Sequence, residues 1–494
     1  MSFIFDVAEN PYPMKFIHRI VVIVFVVLGL CGTVRVHADA TVSQIATGNG
    51  FVLFIKSDGS LWTAGYNLTG DTGNSSTYLM SSNYNVSFPI ELVSSNVTAA
   101  SAGLDFSVFL KSDGSLWGMG SDASGQLGMS RFFSGTNVPT KIVGSNVVAV
   151  SAGDAHTVFR AYTVTGPLGN QTITMLVEGM GNDQFGQLGN YSTKTSDYYN
   201  SPVTIEFEST KFFPAIEPVC GGSYSSFYVK PDGTLWAMGY NGFGELGDGT
   251  TNIPPAAEQV AGVTNVTDVQ LNGQCTLFLE SDGSLWSMGF DLFGAGGGGP
   301  SHLDFYTTPQ KIVGSNVVAV SVGAAHSLFL KTDTSLWGMG VNDFGELGAL
   351  SLGHSYPSPI LLASNVVNFA AGTDTTYYTR TDGTTWASGI DTYGELADGF
   401  VNTFTTNAVQ IFPSPPAVFT SAKLLNRTNL QITATCPVGG AYSLVSSTDL
   451  KVPLHTWPAV AGSMVTTRGP DNFVTTIVED PNTGQRFFAL VKTN

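Results

Sequence analysis

Six times along the chain an apolar run ends in a polar turn and is followed by a second, Trp-bearing run and a glycine-rich loop. The copies read FIKSDGSLWTAG from Phe54, FLKSDGSLWGMG from Phe109, YVKPDGTLWAMG from Tyr228, FLESDGSLWSMG from Phe278, FLKTDTSLWGMG from Phe329 and YTRTDGTTWASG from Tyr378. A seventh, degraded copy runs from Ser151 (SAGDAHTVFR), is interrupted by an insertion and resumes at Glu178 (EGMGNDQFGQLG). The anchors Trp62, Trp117, Glu178, Trp236, Trp286, Trp337 and Trp386 stand 49 to 61 residues apart. Units of this length built only from strand-like runs predict propeller blades, because leucine-rich and helical repeats are shorter or carry a 3.6-residue period. Seven units predict an all-β, seven-bladed β-propeller over residues 41–412.

Each period holds four strand candidates. Lys-Ile-Val and Val-Val-Ala-Val, as in PTKIVGSNVVAVSAG from Pro139 and PQKIVGSNVVAVSVG from Pro309, read as two strands joined at Gly-Ser-Asn; the FLKSD and SLWGMG segments supply two more. The Asp-Gly pairs at Asp58, Asp113, Asp232, Asp282 and Asp382 predict two-residue I′ hairpins. At Asp333-Thr334 a β-branched residue resists positive φ, so another turn type is expected there. The repeated Trp residues are expected to pack between blades, since each carries a large surface to bury. For closure, the segment from Thr41 to Ile45 matches the Val-Val-Ala-Val strand missing after Asn407–Phe412, which predicts one blade shared by both chain ends.

The fragments SAGDAHTVF, SVGAAHSLFL, GMGSDASGQLG and YNGFGELGDGT resemble repeats of the regulator of chromosome condensation family, a seven-bladed propeller. Gly-x-x-His, Asp-Gly-x-x-Trp and Gly-x-Leu-Gly occur in that family's order from about Thr41 to Phe412. The resemblance implies the scaffold. It does not imply one activity, since the family includes a nucleotide-exchange factor for a small GTPase, a plant photoreceptor and a secreted β-lactamase inhibitor. The photoreceptor's Gly-Trp-Arg-His-Thr motif is absent.

The ends of the chain suggest a compartment. Lys15, His18 and Arg19 precede the apolar run Ile20–Leu30, with small residues for cleavage near Val36-His37-Ala38 or Ala38-Asp39-Ala40, so residues 1–40 read as a secretory signal peptide starting at Met1 or Met14. The run is too short for a membrane span. A lipoprotein reading at Cys31 is disfavoured by the large Leu30 before it. Pro413-Ser414-Pro415-Pro416 stiffens a linker (413–417), and residues 418–494 alternate as a small β-sandwich resembling modules appended to secreted bacterial proteins. The expected setting is extracellular or periplasmic.

The chain is 494 residues long with 57 glycines, 12% charged residues and a formal net charge of −17, which argues against binding to phosphate backbones. After cleavage three cysteines remain, Cys220, Cys275 and Cys436; the first two read as small buried strand residues, with a disulfide between them as the lesser alternative.

No catalytic constellation, phosphate loop, metal motif or cofactor motif is found. Gly242-x-Gly244-x-x-Gly247 matches a dinucleotide fingerprint only formally, because it lacks the strand-to-helix context. His156 and His326 occupy equivalent places and read as structural. Asp248 and Asp398 read as solvated loop acids, without the ligand density of a calcium site.

The variable insertions after Gly-x-Leu-Gly carry Tyr78, Tyr84, Phe132, Phe133, Tyr191, Tyr198, Tyr199, Phe305, Tyr306 and Tyr356, the candidate binding residues. The third repeat adds a hairpin through Thr163–Thr165 and Thr172–Thr174. The sequence is therefore read as a secreted, monomeric, non-enzymatic scaffold that binds a protein or surface polymer, not nucleic acid. The alternatives are nucleotide exchange on a small GTPase, or a hydrolase or lyase with its site at the central channel.

Overall fold

The computed structural model describes residues 40–412 except 68, 74–84, 130–134, 168–169, 190–196, 211–217, 274, 292–293, 300–304, 349–351 and 402. Beyond the propeller it describes the backbone of the strands Val418–Leu424, Asn429–Thr435, Ala441–Ser447, Val465–Thr466, Asn472–Val478 and Phe487–Thr493. Residues 1–39, within the stretch read as a signal peptide (1–40), residues 413–417, read as a linker, and Cys436 lie outside the described residues.

Seven four-stranded antiparallel sheets follow one another along the chain at 42–93, 97–143, 147–210, 219–259, 266–313, 317–363 and 366–412, forming blades 1 to 7 of an all-β propeller. No α-helix occurs among the described residues. Blade 1 shows the logic. Its second strand, Phe51–Lys56, is buried at Phe51 through Ile55, which explains an unbroken apolar run where a half-exposed strand would alternate. The first strand, Val42–Thr47, lies on one side and the Trp strand, Leu61–Gly65, on the other; Val86–Val93 completes the sheet.

Each Val-Val-Ala-Val strand pairs with the apolar strand that follows it, not with the Lys-Ile-Val strand before it. The Gly-Ser-Asn linker therefore joins two blades rather than two strands of one blade. Blade 1 holds Val42–Thr47 as its own first strand, and Thr403–Phe412 is the outermost strand of blade 7. The expected blade shared by the chain ends does not form, because counting from Val42 gives seven complete units. The ring closes by side-by-side packing: Val52, Phe54 and Ala64 of blade 1 join Tyr377, Ala387 and Leu396 of blade 7 in one buried cluster. Phe54 meets Phe412 edge-on at 5.1 Å, and Thr47 Oγ1 donates to the Ala371 carbonyl at 2.8 Å.

The hairpin turns also differ from expectation. Lys56 N donates to Ser60 O and Gly59 N to Lys56 O, while Asp58 Oδ1 accepts from Ser60 N at 2.9 Å. Within the turn only Gly59 has positive φ, at 77°, so the turn is a three-residue loop whose glycine forms a bulge, not a two-residue I′ turn. A Cβ on Gly59 would stand 2.8 Å from Asn96 N, and the Gly59 carbonyl accepts from Val97 N of the next blade at 3.0 Å. The turn is thus also a joint between blades. Thr334 occupies the same place with φ at 65° and the same bond to Val366 N. The expected change of turn type does not occur, because the joint to blade 7 fixes the backbone regardless of the side chain.

The Trp side chains are half-buried where adjacent blades meet. Trp117 packs on the cluster shared by blades 1 and 2, and Trp286 packs on the cluster shared by blades 4 and 5. Four of the indole N–H groups donate to the Ser hydroxyl two residues earlier (Ser60, Ser115, Ser284 and Ser335), and Trp236 uses Thr234 in the same way. Lysines cover the outer ring faces, Lys56 at 4.0 Å from the Trp62 centroid and Lys230 at 3.9 Å from that of Trp236. Glu178 stands opposite Phe159 as Trp117 stands opposite Phe109, in the Trp register.

Blade 3 departs from the others by its long strands, His156–Thr165, Thr172–Asn182 and Tyr198–Thr210, whose far ends leave the ring as an exposed hairpin. After residue 412 the chain forms two three-stranded antiparallel sheets. Asn429–Thr435 is central in one and Ala441–Ser447 in the other.

Candidate interaction face

In every blade the connections between strands one and two and between strands three and four emerge at the same end, opposite the Asp-Gly turns. The Gly-x-Leu-Gly loops belong to this face and share one internal bracket. An Asp or Asn side chain at the loop's start accepts the backbone N–H five residues on: Asp122 from Leu127, Asp183 from Leu188, Asn241 from Leu246, Asn342 from Leu347 and Asp391 from Leu396. A second side chain inside the loop accepts from the residue two before it: Gln187 from Phe185, Glu245 from Phe243, Glu346 from Phe344, Glu395 from Tyr393. Burial pushes the carboxyls of Glu245, Glu346 and Glu395 up to about 7. These brackets hold an aromatic residue at the crest of each of the four loops.

The crest aromatics link into a belt across blades 3 to 5. Phe185 meets Tyr224 at 5.3 Å and Tyr240 at 5.2 Å, Tyr240 meets Phe243 at 6.4 Å, and Phe243 meets Phe290 at 5.0 Å. Tyr224 is 47% exposed. Elsewhere on the face Tyr66 and Tyr393 pair at 4.7 Å.

Of the ten aromatics singled out in the insertions, Tyr78, Tyr84, Phe132, Phe133 and Tyr191 lie outside the described residues. Tyr198 and Phe305 are exposed, at the starts of the outer strands of blades 3 and 5. Tyr199, Tyr306 and Tyr356 are half-buried in one equivalent register, opposite Gly181, Gly289 and Gly340. Phe305 stands directly opposite the belt's Phe290 in the sheet of blade 5. Phe185 and Phe243 were legible as the aromatic before Gly in Phe-Gly-x-Leu-Gly, but repetition made them read as scaffold; Tyr224, Tyr240 and Phe290 lie outside that motif.

The basic residues are unevenly placed. The propeller's described Lys and Arg residues all sit on second or fourth strands or at the hairpin turns, several stacked on Trp. None lies among the described loop residues of the aromatic face; Arg131 and Lys194, in two insertions, are outside the described residues. That face carries Asp71, Asp105, Asp154, Asp343 and Asp374, among other acids. Burial and neighbouring carboxylates raise Asp71 to about 7 and shift Asp374 upward.

The remaining candidates have structural roles. His156 and His326 are fully buried between blades, with Nε2 against Ser226 Oγ at 2.8 Å and Thr376 Oγ1 at 3.1 Å; burial lowers both to about 4, so both are neutral at pH 7. Their register is filled by Phe51, Phe106, Ser225, Cys275 and Thr375 in the other blades, which shows that the position asks for packing. Cys220 and Cys275 are separate, buried thiols, pushed up to about 12 by desolvation. Gly242, Gly244 and Gly247 lie in a strand-to-strand loop, so they form no helix-borne phosphate cradle. Asp248 and Asp398 accept backbone N–H groups within their own loops. Among the described residues no group of three His, Cys, Asp or Glu side chains is placed to hold a metal ion.

Comparison with known proteins agrees with this architecture. The regulator of chromosome condensation (RCC1) repeat matches residues 113–160, and a second model of the same repeat matches residues 97–126. With the seven blades, these matches support the RCC1 propeller family. The E3 ubiquitin-protein ligase HERC2 of Mus musculus and of Homo sapiens is 25% identical over 312 residues, 62% of this chain and 6% of the relative. The chain thus matches only a small part of those relatives' length. Human WBSCR16 superposes with a TM-score of 0.59 at 19% identity, covering 72% of this chain and 96% of that one. Prp20p of Saccharomyces cerevisiae, a protein described as binding Gsp1p and histones, gives 0.59 at 16% identity, covering 76% and 88%. These likenesses establish the fold.

Proposed function

We propose that the chain is a secreted, non-enzymatic scaffold that binds another protein through its loop face. The observation that carries this reading is the contiguous belt Phe185–Tyr224–Tyr240–Phe243–Phe290, mounted on loops that buried side chains hold rigid. Aromatic residues preorganised on a stiff frame give large contact area at low entropic cost. The acids around the belt favour a protein partner over nucleic acid. The leader at residues 1–40 supports export, and the two C-terminal sheets are taken as a small sandwich that attaches or spaces the propeller. The neutral, interblade histidines and the buried thiols support binding rather than hydrolysis at the ring's mouth.

The test is affinity capture from the native extracellular fraction with the wild-type chain and with a Phe185→Ser/Tyr224→Ser/Phe243→Ser variant. A partner held by the wild type and lost by the variant, at similar thermal stability, supports the reading; a partner held equally by both overturns it. Nucleotide exchange on a small GTPase is a second reading, supported by the RCC1-repeat matches and the likeness to Prp20p. It requires that the protein accelerate release of a fluorescent guanine nucleotide from a GTPase of the source cell, and an unchanged release rate rules it out.

A further inference from the structure

At the seam between blades 7 and 1 the loop face holds a second, more polar arrangement. Tyr66 and Tyr393 lean together at 54° with centroids 4.7 Å apart, Tyr393 being 41% exposed. They stand this close because Gly50 lies beside them: a Cβ there would be 3.1 Å from the Tyr393 ring and 3.5 Å from Tyr66 Cβ. The carboxyls of Asp71 and Asp105 are close enough to Tyr66 to raise its phenol further beyond the effect of burial and of Tyr393. Asp71 itself is fully buried, and its Oδ2 has no hydrogen-bond partner among the described residues, while Thr69 donates to its Oδ1. Thr69 Oγ1 also reaches the carbonyl of the half-buried Asp105 at 3.2 Å, which sets Asp105 beside Asp71 in a corner with no cation among the described loop residues.

Everything in this corner favours positive charge. The ring faces present the negative side of their quadrupoles, the carboxyls repel each other, and the described cations of the propeller lie elsewhere. The wrong sign of charge is thus concentrated at a place built from three blades, with Tyr66 and Asp71 from blade 1, Asp105 from blade 2 and Tyr393 from blade 7. A guanidinium suits it better than an ammonium because it can stack on a ring while donating in its own plane to a carboxylate.

We propose that the Tyr66–Tyr393–Asp105 corner, with the buried Asp71 carboxyl behind it, is a subsite for one arginine side chain of the partner protein. This rests on the reading that the loop face binds protein, and it names the chemistry that one edge of the face selects. The belt through Phe185 and Phe290 then supplies apolar contact, and the seam supplies charge selectivity.

The test uses the purified full chain and a fluorescein-labelled Gly/Arg peptide, with the matched peptide carrying citrulline, the neutral isostere, in place of arginine. Fluorescence anisotropy is expected to show the arginine peptide binding at least tenfold more tightly. Asp105→Asn and Tyr393→Ser are each expected to weaken it at least fivefold, whereas Tyr393→Phe, which keeps the ring, and Asp113→Asn, at the opposite end, leave it unchanged. Equal binding of the two peptides overturns the subsite, as does equal weakening by Asp105→Asn and Asp113→Asn, which marks attraction by bulk charge alone. Displacement of the peptide by millimolar calcium, beyond that of sodium chloride at matched ionic strength, also overturns it in favour of a metal ion. If the peptide fails while the belt variant still loses a captured partner, the subsite is wrong and the loop-face reading stands.

Discussion

Thr334 is the residue at which the backbone overrules the side chain. Five turns of the same kind use glycine, yet this one holds a β-branched residue at φ 65°. The left-handed conformation costs an ordinary residue about 1–2 kcal/mol, and the extra chain entropy of glycine returns roughly 0.5–1 kcal/mol of that on substitution. Thr334→Gly is therefore expected to stabilise the propeller by about 0.5–1 kcal/mol, read as a higher urea midpoint with unchanged slope. Gly59→Ala is expected to do the reverse and by more, about 1–3 kcal/mol, because its Cβ also meets the backbone of Asn96 at 2.8 Å. Equal effects of the two substitutions would show that the turns are not under the constraint described.

The bracketed loop is the element that joins scaffold to function. Glu245, Glu346 and Glu395 each accept the N–H of a crest aromatic while buried, and their carboxyls are raised from 4.5 to about 7. A carboxyl raised on folding stabilises the native state fully below its unfolded value, and that stability is lost as pH climbs through the folded one. His156 and His326, lowered to about 4, act in the opposite direction: their contribution is present above the unfolded value of 6.5 and is lost as pH falls toward 4. The glutamate effect is therefore isolated by difference. Gln126 and Gln187 make the same bond in blades 2 and 3, so glutamine fits the position. The triple variant Glu245→Gln/Glu346→Gln/Glu395→Gln is expected to melt close to wild type at pH 5. At pH 8 it should be more stable by about 1 kcal/mol per site, since local relaxation around an ionised carboxylate offsets part of the full shift. A difference that does not grow with pH between 5 and 8 contradicts the assignment.

For the whole molecule the critical joint is the seam, where blade 1 meets blade 7 without exchanging a strand. Phe54, with no exposed surface, packs between Phe412 and Tyr377 at 5.1 and 6.0 Å. Phe54→Ala is expected to cost about 3–5 kcal/mol, in the range for a large aromatic removed from a core. Because no stretch of chain links blade 7 directly to blade 1, and the joint is held by packing and by bonds such as that from Gly399 N to Ser87 O, the same variant should also speed hydrogen exchange in Val42–Thr47 before it does so in blade 4. Uniform exchange throughout the ring counts against a seam-limited opening. The arrangement matters for function because Tyr66 and Tyr393 face each other across this joint.

The repeat count, the all-β class and the four-strand unit were legible in the sequence, since a propeller blade is a local object whose apolar runs and turns lie within about fifty residues of one another. The phase of the repeat was not. Lys-Ile-Val and Val-Val-Ala-Val are neighbours in the chain, but Val317 pairs forward with Lys331 in its own blade while its N–H bonds Gly283 O of the blade before, so only the folded ring shows where one blade stops. The same holds for Thr334, whose conformation is imposed by a neighbouring blade. The face is divided in the same way. Residue types marked its loops as aromatic and acidic, but repetition hid Phe185, Phe243 and Tyr393 among the scaffold residues. Side-chain proximity between blades is a property of the closed ring: tertiary structure alone joined Phe185 to Tyr240 and Phe243 to Phe290, and brought Tyr66 and Tyr393, some 330 residues apart in the chain, to within 4.7 Å.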